Sequence, residues 1–177
     1  MTGSQNIDDS KFAMLADADA GGSIQSLANM FFDSLKSVSN DLEPLVATSK
    51  IKIDEFPDEY VIYPEEVFGK LNDIQIHKSP GPDNLPNWFL RDFAVYLAEP
   101  LCCIFNSSLR QCAFPSMWKR ANIVPIPKIT APKSIASDFR PISLTPTVSK
   151  VFESLVGQRM LDSVTDKIDN KQYGARK

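Results

Sequence analysis

Two prolines set two positions apart place the tightest constraint on how this chain folds. Pro125 and Pro127 lie within an apolar, strand-like run, Arg120–Lys128. Proline has no backbone N–H, and alternate residues of a strand direct their N–H groups to the same side. That side of the strand therefore faces solvent or the edge of a sheet.

A second strand-like run, Phe139–Leu144, follows the loop Ile129–Asp138. Two short strands joined in this way predict one antiparallel hairpin spanning about 120–144. Apolar residues at helical spacing predict helices elsewhere, at about 24–39, 64–76, 86–95, 98–111 and 146–167. The expected fold class is α+β, mostly helical with one antiparallel β-hairpin.

Prolines and polar residues predict where these helices begin. Pro64 and Pro100 each suit the first turn of a helix, where a missing N–H costs nothing. Asp83 or Asn84 offers a capping oxygen to the helix that follows it, and Thr145 offers one to the last helix.

Charge is distributed unevenly. Residues 1–76 contain five Lys or Arg against fourteen Asp or Glu, a net charge of −9, whereas residues 77–177 contain fourteen against eight, a net charge of +6. The segment 118–150 alone has six basic residues and one acid. Such a patch can bind nucleic acid or nucleotide phosphates, and scattered, solvated charge is the alternative.

Several functional classes are disfavoured. No stretch approaches the roughly 20 apolar residues of a membrane span, and the N-terminus does not resemble a signal peptide, so we expect an intracellular protein, cytoplasmic or nuclear. The three cysteines fall in apolar helical patterns and are expected to be free thiols. The single histidine, His77, is expected in a loop, and neither catalytic nor metal-binding residues are assigned.

The predicted hairpin brings two cations together. Lys128 ends its first strand and Arg140 lies at the start of its second. A triphosphate is bound well by the point charge of a lysine beside the planar fork of an arginine. An ordinary sheet edge with two solvated cations is the alternative.

Four blocks of sequence occur in a characteristic order: Ser79–Asp83; Trp118–Ala121 with Pro125–Lys128; Phe139–Leu144 with Ser149–Glu153; and Gln172–Arg176. From about residue 24 onward the chain resembles the N-terminal part, the fingers, of the reverse transcriptases of non-LTR (LINE-type) retrotransposons. The resemblance implies an RNA template, a DNA primer and a deoxynucleoside triphosphate as partners of the complete enzyme.

The resemblance also implies roles for particular residues. Lys128 would lie near the incoming nucleotide, and Arg140 would contact its triphosphate. A proline-rich loop would lie near the template strand; its residues are Ser79, Pro80, Gly81, Pro82 and Asp83.

In that family, palm aspartates, two of them in a Tyr-X-Asp-Asp turn, hold two Mg²⁺ ions, and no Tyr-X-Asp-Asp occurs here. We expect the palm metal site and the thumb to be missing from this chain, and the chain alone to be an inactive fragment without a cofactor. A non-catalytic nucleic-acid-binding module and a helical protein-interaction domain are the alternatives.

We expect three regions. Small and acidic residues without apolar periodicity predict a disordered acidic tail (1–22), and helical spacing predicts an N-terminal helical extension (23–76). The resemblance implies a partial reverse transcriptase domain, the fingers and the start of the palm (77–177). Without a palm to pack on, Phe152 and Leu155 of the last helix are expected to be partly exposed.

Overall fold

The computed structural model describes residues 24–37, 40, 42–43 and 56–167. The proposed tail 1–22 and the block Gln172–Arg176 lie outside these residues. Six helices and two strands are present in the described part: α1 (Ile24–Ser37), α2 (Pro64–Asn72), α3 (Asn87–Asp92), α4 (Ala94–Arg110), β1 (Asn122–Pro127), α5 (Ile135–Asp138), β2 (Phe139–Leu144) and α6 (Thr147–Val164). Short 3-10 turns occupy Asp58–Tyr60, Ser116–Lys119 and Thr165–Lys167.

The strands form a two-stranded antiparallel sheet, so the expected α+β class and hairpin are confirmed. The chain divides into two compact units. One consists of residues 1–48 and 123–143, and the other of residues 49–122 and 144–177. The three regions suggested by the sequence stay a prediction.

The first unit has a small apolar core between α1 and the start of β2. Leu27 and Phe31, one helical turn apart on α1, are buried with Phe139. The rings of Phe31 and Phe139 meet edge to face, with centroids 4.8 Å apart. Ala28, which the helical pattern placed on the same stripe, is exposed, because the core contacts only a narrow face of the helix.

The second unit is built around aromatic side chains from α4, the 3-10 turn and α6. The rings of Phe105 and Phe152 stack at 4.9 Å, and Trp118 approaches Phe105 at 5.7 Å. Such pairs add roughly 0.5–1.5 kcal/mol each beyond the burial of their area. These contacts fix α6 against α4.

The prediction that Phe152 and Leu155 are partly exposed is wrong, because this core buries both of them. They are only 4% and 3% exposed, since α4 and the Trp118 turn cover the face that was expected to need a palm. Leu161, expected on the buried face, is 50% exposed, because α6 extends beyond this core.

Helix boundaries differ from the sequence predictions at the end of α2 and at the start of α4. Helix α2 ends at Asn72, four residues early. Helix α4 begins at Ala94, immediately after a break at Phe93, so that Pro100 lies inside the helix rather than in its first turn. The carbonyl left without a partner by Pro100 belongs to Tyr96, which is 75% exposed and therefore lies where water can solvate it.

The predicted caps are also wrong. Pro86 and Pro146 occupy the N-cap positions of α3 and α6, and neither helix has a side-chain cap. Asp83 instead accepts a hydrogen bond from the N–H of Leu85 at 3.4 Å, within the turn that precedes α3. Pro64 does begin α2, as predicted.

Polar contacts join the helices of the second unit. Arg159 of α6 forms an ion pair with Glu66 of α2 (Nη2 to Oε2, 2.7 Å) and donates to the carbonyl of Val61 at 2.6 Å. The Asn106 carboxamide on α4 bonds both the N–H and the carbonyl of Ile62, at 2.9 and 2.8 Å. These contacts hold the segment before α2 against α4 and α6.

The cysteines separate into two environments. Cys102 is buried beside Ile62, and burial raises the pKa of its thiol. Cys103 and Cys112 are exposed, so their expected place on an apolar face is wrong. All three are free thiols, and His77 is exposed in a turn, as expected.

Candidate nucleic-acid interface

One hydrogen bond establishes the register of the hairpin. The N–H of Lys128 donates to the carbonyl of Asp138 at 2.7 Å, just beyond the ends of β1 and β2. Hydrogen-bonded pairs alternate along an antiparallel ladder. Pro125 and Pro127 therefore direct their nitrogens away from β2, as the sequence predicts.

The same register brings the end of β1 beside the start of β2. Lys128, the residue after β1, pairs through its backbone with Asp138, the residue before β2, and Arg140 is the second residue of β2. The two cations that the sequence singled out are therefore both carried by backbone at the base of the connecting loop.

The two cations differ in their bonding. The Lys128 ammonium donates to the carbonyl of Ser137 at 2.7 Å. The Arg140 side chain is exposed, and it has neither an ion pair nor a hydrogen bond among the described residues. Its five N–H donors are thus available to a ligand.

Asp138 organises the loop beside these cations. Its carboxylate accepts hydrogen bonds from the backbone N–H groups of Lys133 and Ser134, at 2.9 and 3.0 Å, and from the Ser137 hydroxyl at 2.7 Å. The Lys133 N–H, followed by the Ser137 hydroxyl and the Ser134 N–H, lowers the pKa of Asp138. The loop is therefore tied to a carboxylate that stays ionised at neutral pH.

Adjacent residues orient the hairpin on its own unit. Phe139 is buried against Phe31, whereas the next residue, Arg140, is exposed. Successive side chains of a strand point to opposite faces. Burial of Phe139 in the core therefore turns Arg140 toward solvent.

The proline-rich loop is packed on the N-terminus of α6 in the second unit. A Cβ on Gly81 would lie 2.5 Å from the Cα of Pro146 and 2.6 Å from the carbonyl carbon of Thr145. Only glycine allows the two backbones to approach this closely. Gly81 is therefore a packing residue of this loop.

A buried carboxamide fixes the loop from its other side. Asn87 donates through Nδ2 to the carbonyls of Gln75 and Lys78, at 3.1 and 3.0 Å, and its Oδ1 accepts a hydrogen bond from Thr147 at 2.7 Å. Nothing in the sequence pattern distinguished Asn87 or Thr147. Both appeared as ordinary residues near a helix start.

The template residues suggested by the sequence differ in their exposure. Ser79 and Asp83 are exposed, Pro80 and Pro82 are half-buried, and Gly81 is buried. The surface that this loop offers to a ligand is therefore its two polar ends.

No group of three His, Cys, Asp or Glu side chains suited to a metal ion occurs within the described ranges. Likewise, none of the helices described is long and apolar enough to cross a membrane.

Comparison with known proteins found relatives among mobile-element polymerases, whereas no family model matches. The chain is 35% identical over 114 residues to the probable RNA-directed DNA polymerase from transposon BS of Drosophila melanogaster, covering 63% of this chain and 13% of that protein. It is 35% identical over the same length to the RNA-directed DNA polymerase from mobile element jockey of the same species, covering 63% and 12%.

A further relative matches more of the chain at lower identity. The Pol polyprotein from type-1 retrotransposable element R1 of Bradysia coprophila is 25% identical over 146 residues, covering 82% of this chain and 14% of that protein. The chain thus spans between 12% and 14% of the length of these relatives. It is distantly similar to the RNA-directed DNA polymerases of non-LTR retrotransposons.

Proposed function

We propose that this chain is the fingers part of the RNA-directed DNA polymerase of a non-LTR retrotransposon. The observation that supports this best is the hairpin, whose register brings the residue after β1, Lys128, beside the start of β2, which carries Arg140. The similarity to the BS and jockey polymerases supports the same assignment. The complete enzyme would act on an RNA template, a DNA primer and deoxynucleoside triphosphates.

In this proposal the hairpin binds the triphosphate of the incoming nucleotide. Arg140 supplies a planar fork that can bond two phosphate oxygens at once, and Lys128 supplies a compact positive charge. The Lys128 ammonium is exposed, so exchanging its bond to Ser137 for a phosphate oxygen requires only a side-chain rotation.

The loop Ser79–Asp83 contacts the template strand in this proposal. Its backbone is held by the close approach of Gly81 to Pro146 and by the bonds of Asn87. A rigid loop loses little conformational entropy when a strand binds. Its exposed ends, Ser79 and Asp83, are the groups placed to meet that strand.

The chemical step is not assigned to this chain. Nucleotidyl transfer uses Mg²⁺ held by carboxylates to activate the primer hydroxyl and to stabilise the leaving pyrophosphate. The described residues do not fit such a site, and the 177 residues contain no Tyr-X-Asp-Asp turn. We therefore assign nucleotide and template contacts to this chain and no catalytic residue.

Fluorescence anisotropy with a short labelled RNA, with a nucleoside triphosphate as competitor, tests the hairpin. We expect weak binding, with Kd on the order of 10⁻⁴–10⁻⁶ M at physiological salt. Arg140→Ala and Lys128→Ala should weaken binding of the triphosphate, and Arg140→Lys should recover part of it. Lys167 is exposed and lies outside the hairpin, so Lys167→Ala is the control for the loss of one positive charge. Unchanged binding in both alanine variants would refute the assignment.

The competitor also separates this proposal from a non-catalytic nucleic-acid-binding module. If Arg140→Ala weakens RNA binding but the triphosphate neither binds nor competes, the hairpin serves only the nucleic acid. Primer extension on an RNA template with Mg²⁺ tests the assignment of no chemistry, because extension that depends on the purified chain would overturn it.

A further inference from the structure

A cleft of about 240 Å³ lies in the second unit. It is bounded by the end of α2, the start of the proline-rich loop and the first half of α6. Three lysines line it, Lys70, Lys78 and Lys150, together with one acid, Asp73. Ser79, Asn87 and Thr147 also line it.

The lysines give this cleft an excess of positive charge. All three are exposed, and none forms an ion pair within the part of the chain that the structure describes. With Asp73 as the only acid among the lining residues, the lining is positive by two charges. Lys70 belongs to the acidic half of the sequence, so this concentration of charge exists only in the folded chain.

The base of the cleft is rigid. Asn87 is 4% exposed and holds the carbonyl of Lys78, while Thr147, 9% exposed, bonds Asn87 from the first turn of α6. Lys150 lies one turn further along the same helix. The backbones that bear Lys78 and Lys150 are therefore fixed relative to each other before any ligand binds.

We propose that this cleft binds one phosphodiester group of a single-stranded nucleic acid, as a site separate from the hairpin cations Lys128 and Arg140. Ammonium groups from three segments can surround a tetrahedral, negatively charged group, and a cleft of this size admits one phosphate rather than a duplex. Ser79 belongs to both the cleft and the loop proposed to contact the template. The site thus deepens the proposed function and rests on it for the identity of the strand.

The test is fluorescence anisotropy of the full chain with a short labelled oligouridine over a salt series. Lys70→Gln, Lys78→Gln and Lys150→Gln should each raise Kd, by up to about 5-fold, and the triple variant should raise it further. The triple variant loses one phosphate contact, so its slope of log K against log salt should be shallower than that of the wild type by about 0.7. Lys167→Gln, an exposed lysine outside the cleft, is the matched control and should leave the slope unchanged.

A variant of opposite sign tests the same cleft. Asp73→Asn removes its acid and should tighten RNA binding, whereas Glu99→Gln, an exposed acid outside the cleft, should have no such effect. All of these substitutions are at exposed positions, and thermal melts will verify that the variants remain folded. Equal affinity of the triple variant and the wild type, or tighter binding with Glu99→Gln alone, would overturn the proposal.

The hairpin variants separate this inference from the proposed function. If Arg140→Ala weakens triphosphate binding while the triple lysine variant binds oligouridine normally, the proposed phosphate site in the cleft is wrong and the hairpin assignment stands. If the triple variant loses oligouridine binding and the hairpin variants keep triphosphate binding, the cleft stands and the hairpin assignment fails. Loss of triphosphate binding in the triple variant, with RNA binding intact, would overturn the proposal that the cleft binds a nucleic-acid strand.

Discussion

The hydroxyl of Thr147 donates a 2.7 Å hydrogen bond to Oδ1 of Asn87, 60 positions earlier in the chain, and both side chains are buried. Asn87 in turn bonds the carbonyls of Gln75 and Lys78. One carboxamide thus connects the end of the α2 segment, the proline-rich loop and the N-terminus of α6.

Replacing Asn87 should therefore destabilise the second unit. Asn87→Ala leaves two carbonyls and one hydroxyl without a partner, and we expect the free energy of unfolding to fall by about 1–3 kcal/mol. Thr147→Val removes one bond and should cost about 1 kcal/mol. Urea denaturation of both single variants and of the double variant measures the coupling, and strictly additive losses would contradict the bond.

Gly81→Ala should destabilise the chain because the new methyl group would overlap the backbone of Thr145 and Pro146. Overpacking of this kind costs about 1–3 kcal/mol. Gly69→Ala is the matched control: its site in α2 is open, and alanine in a helix should stabilise it by about 1 kcal/mol. Thermal melts of the two variants should shift in opposite directions, and a shift in the same direction would refute the close approach.

The Arg159–Glu66 ion pair should contribute more than an exposed pair does. Its arginine side chain is 14% exposed and also bonds the Val61 carbonyl, so Arg159→Met should cost about 1.5–3 kcal/mol. The exposed pair Arg91–Asp92 provides the control, and Arg91→Met should change the stability by less than about 1 kcal/mol. Equal losses in urea denaturation would show that burial adds nothing.

Acid should loosen the hairpin loop only at low pH. The pKa of Asp138 lies below its ordinary value of 3.8, chiefly because of the Lys133 N–H. A carboxylate with a lowered pKa stabilises the folded loop above its unfolded pKa, and this contribution disappears as the pH falls through the lowered value. The amide NMR shifts of Lys133 and Ser134 should therefore change only below about pH 4.

Asp138→Ala should abolish that titration and increase the amide hydrogen exchange of Lys133 and Ser134 at neutral pH. The Val124 amide in β1 provides the internal reference. A midpoint above 3.8 for the two loop amides would contradict the direction of the pKa shift.

The sequence predicted the hairpin well because its signals are local. Alternating prolines exclude pairing on one side of β1, and the apolar pattern of Phe139–Leu144 predicted the bounds of β2. The start of α2 followed from Pro64 for the same reason. The break at Phe93 was missed because Pro100 is a stronger local signal than any residue at the true boundary.

The chemistry of the candidate site was predictable only in part. Lys128 and Arg140 could be paired because a hairpin brings the ends of consecutive strands together. Lys70 and Lys78 could not be joined to Lys150, since no local pattern relates residues on separate helices and loops. The burial of Phe152 was missed because it depends on Phe105 and Trp118, which lie far from it in sequence.

The sequence by itself determined which side of β1 cannot pair, where α2 begins and which cations lie at the ends of the two strands. These features depend on backbone dihedrals and side-chain periodicity, which are properties of neighbouring residues. The tertiary structure alone decided that Gly81 must touch Pro146, that Asn87 must meet Thr147, and that a lysine from the acidic half joins two from the basic half. Those contacts form because the apolar faces of α2, α4 and α6 pack together simultaneously, and the arrangement that buries them all fixes which distant polar groups meet.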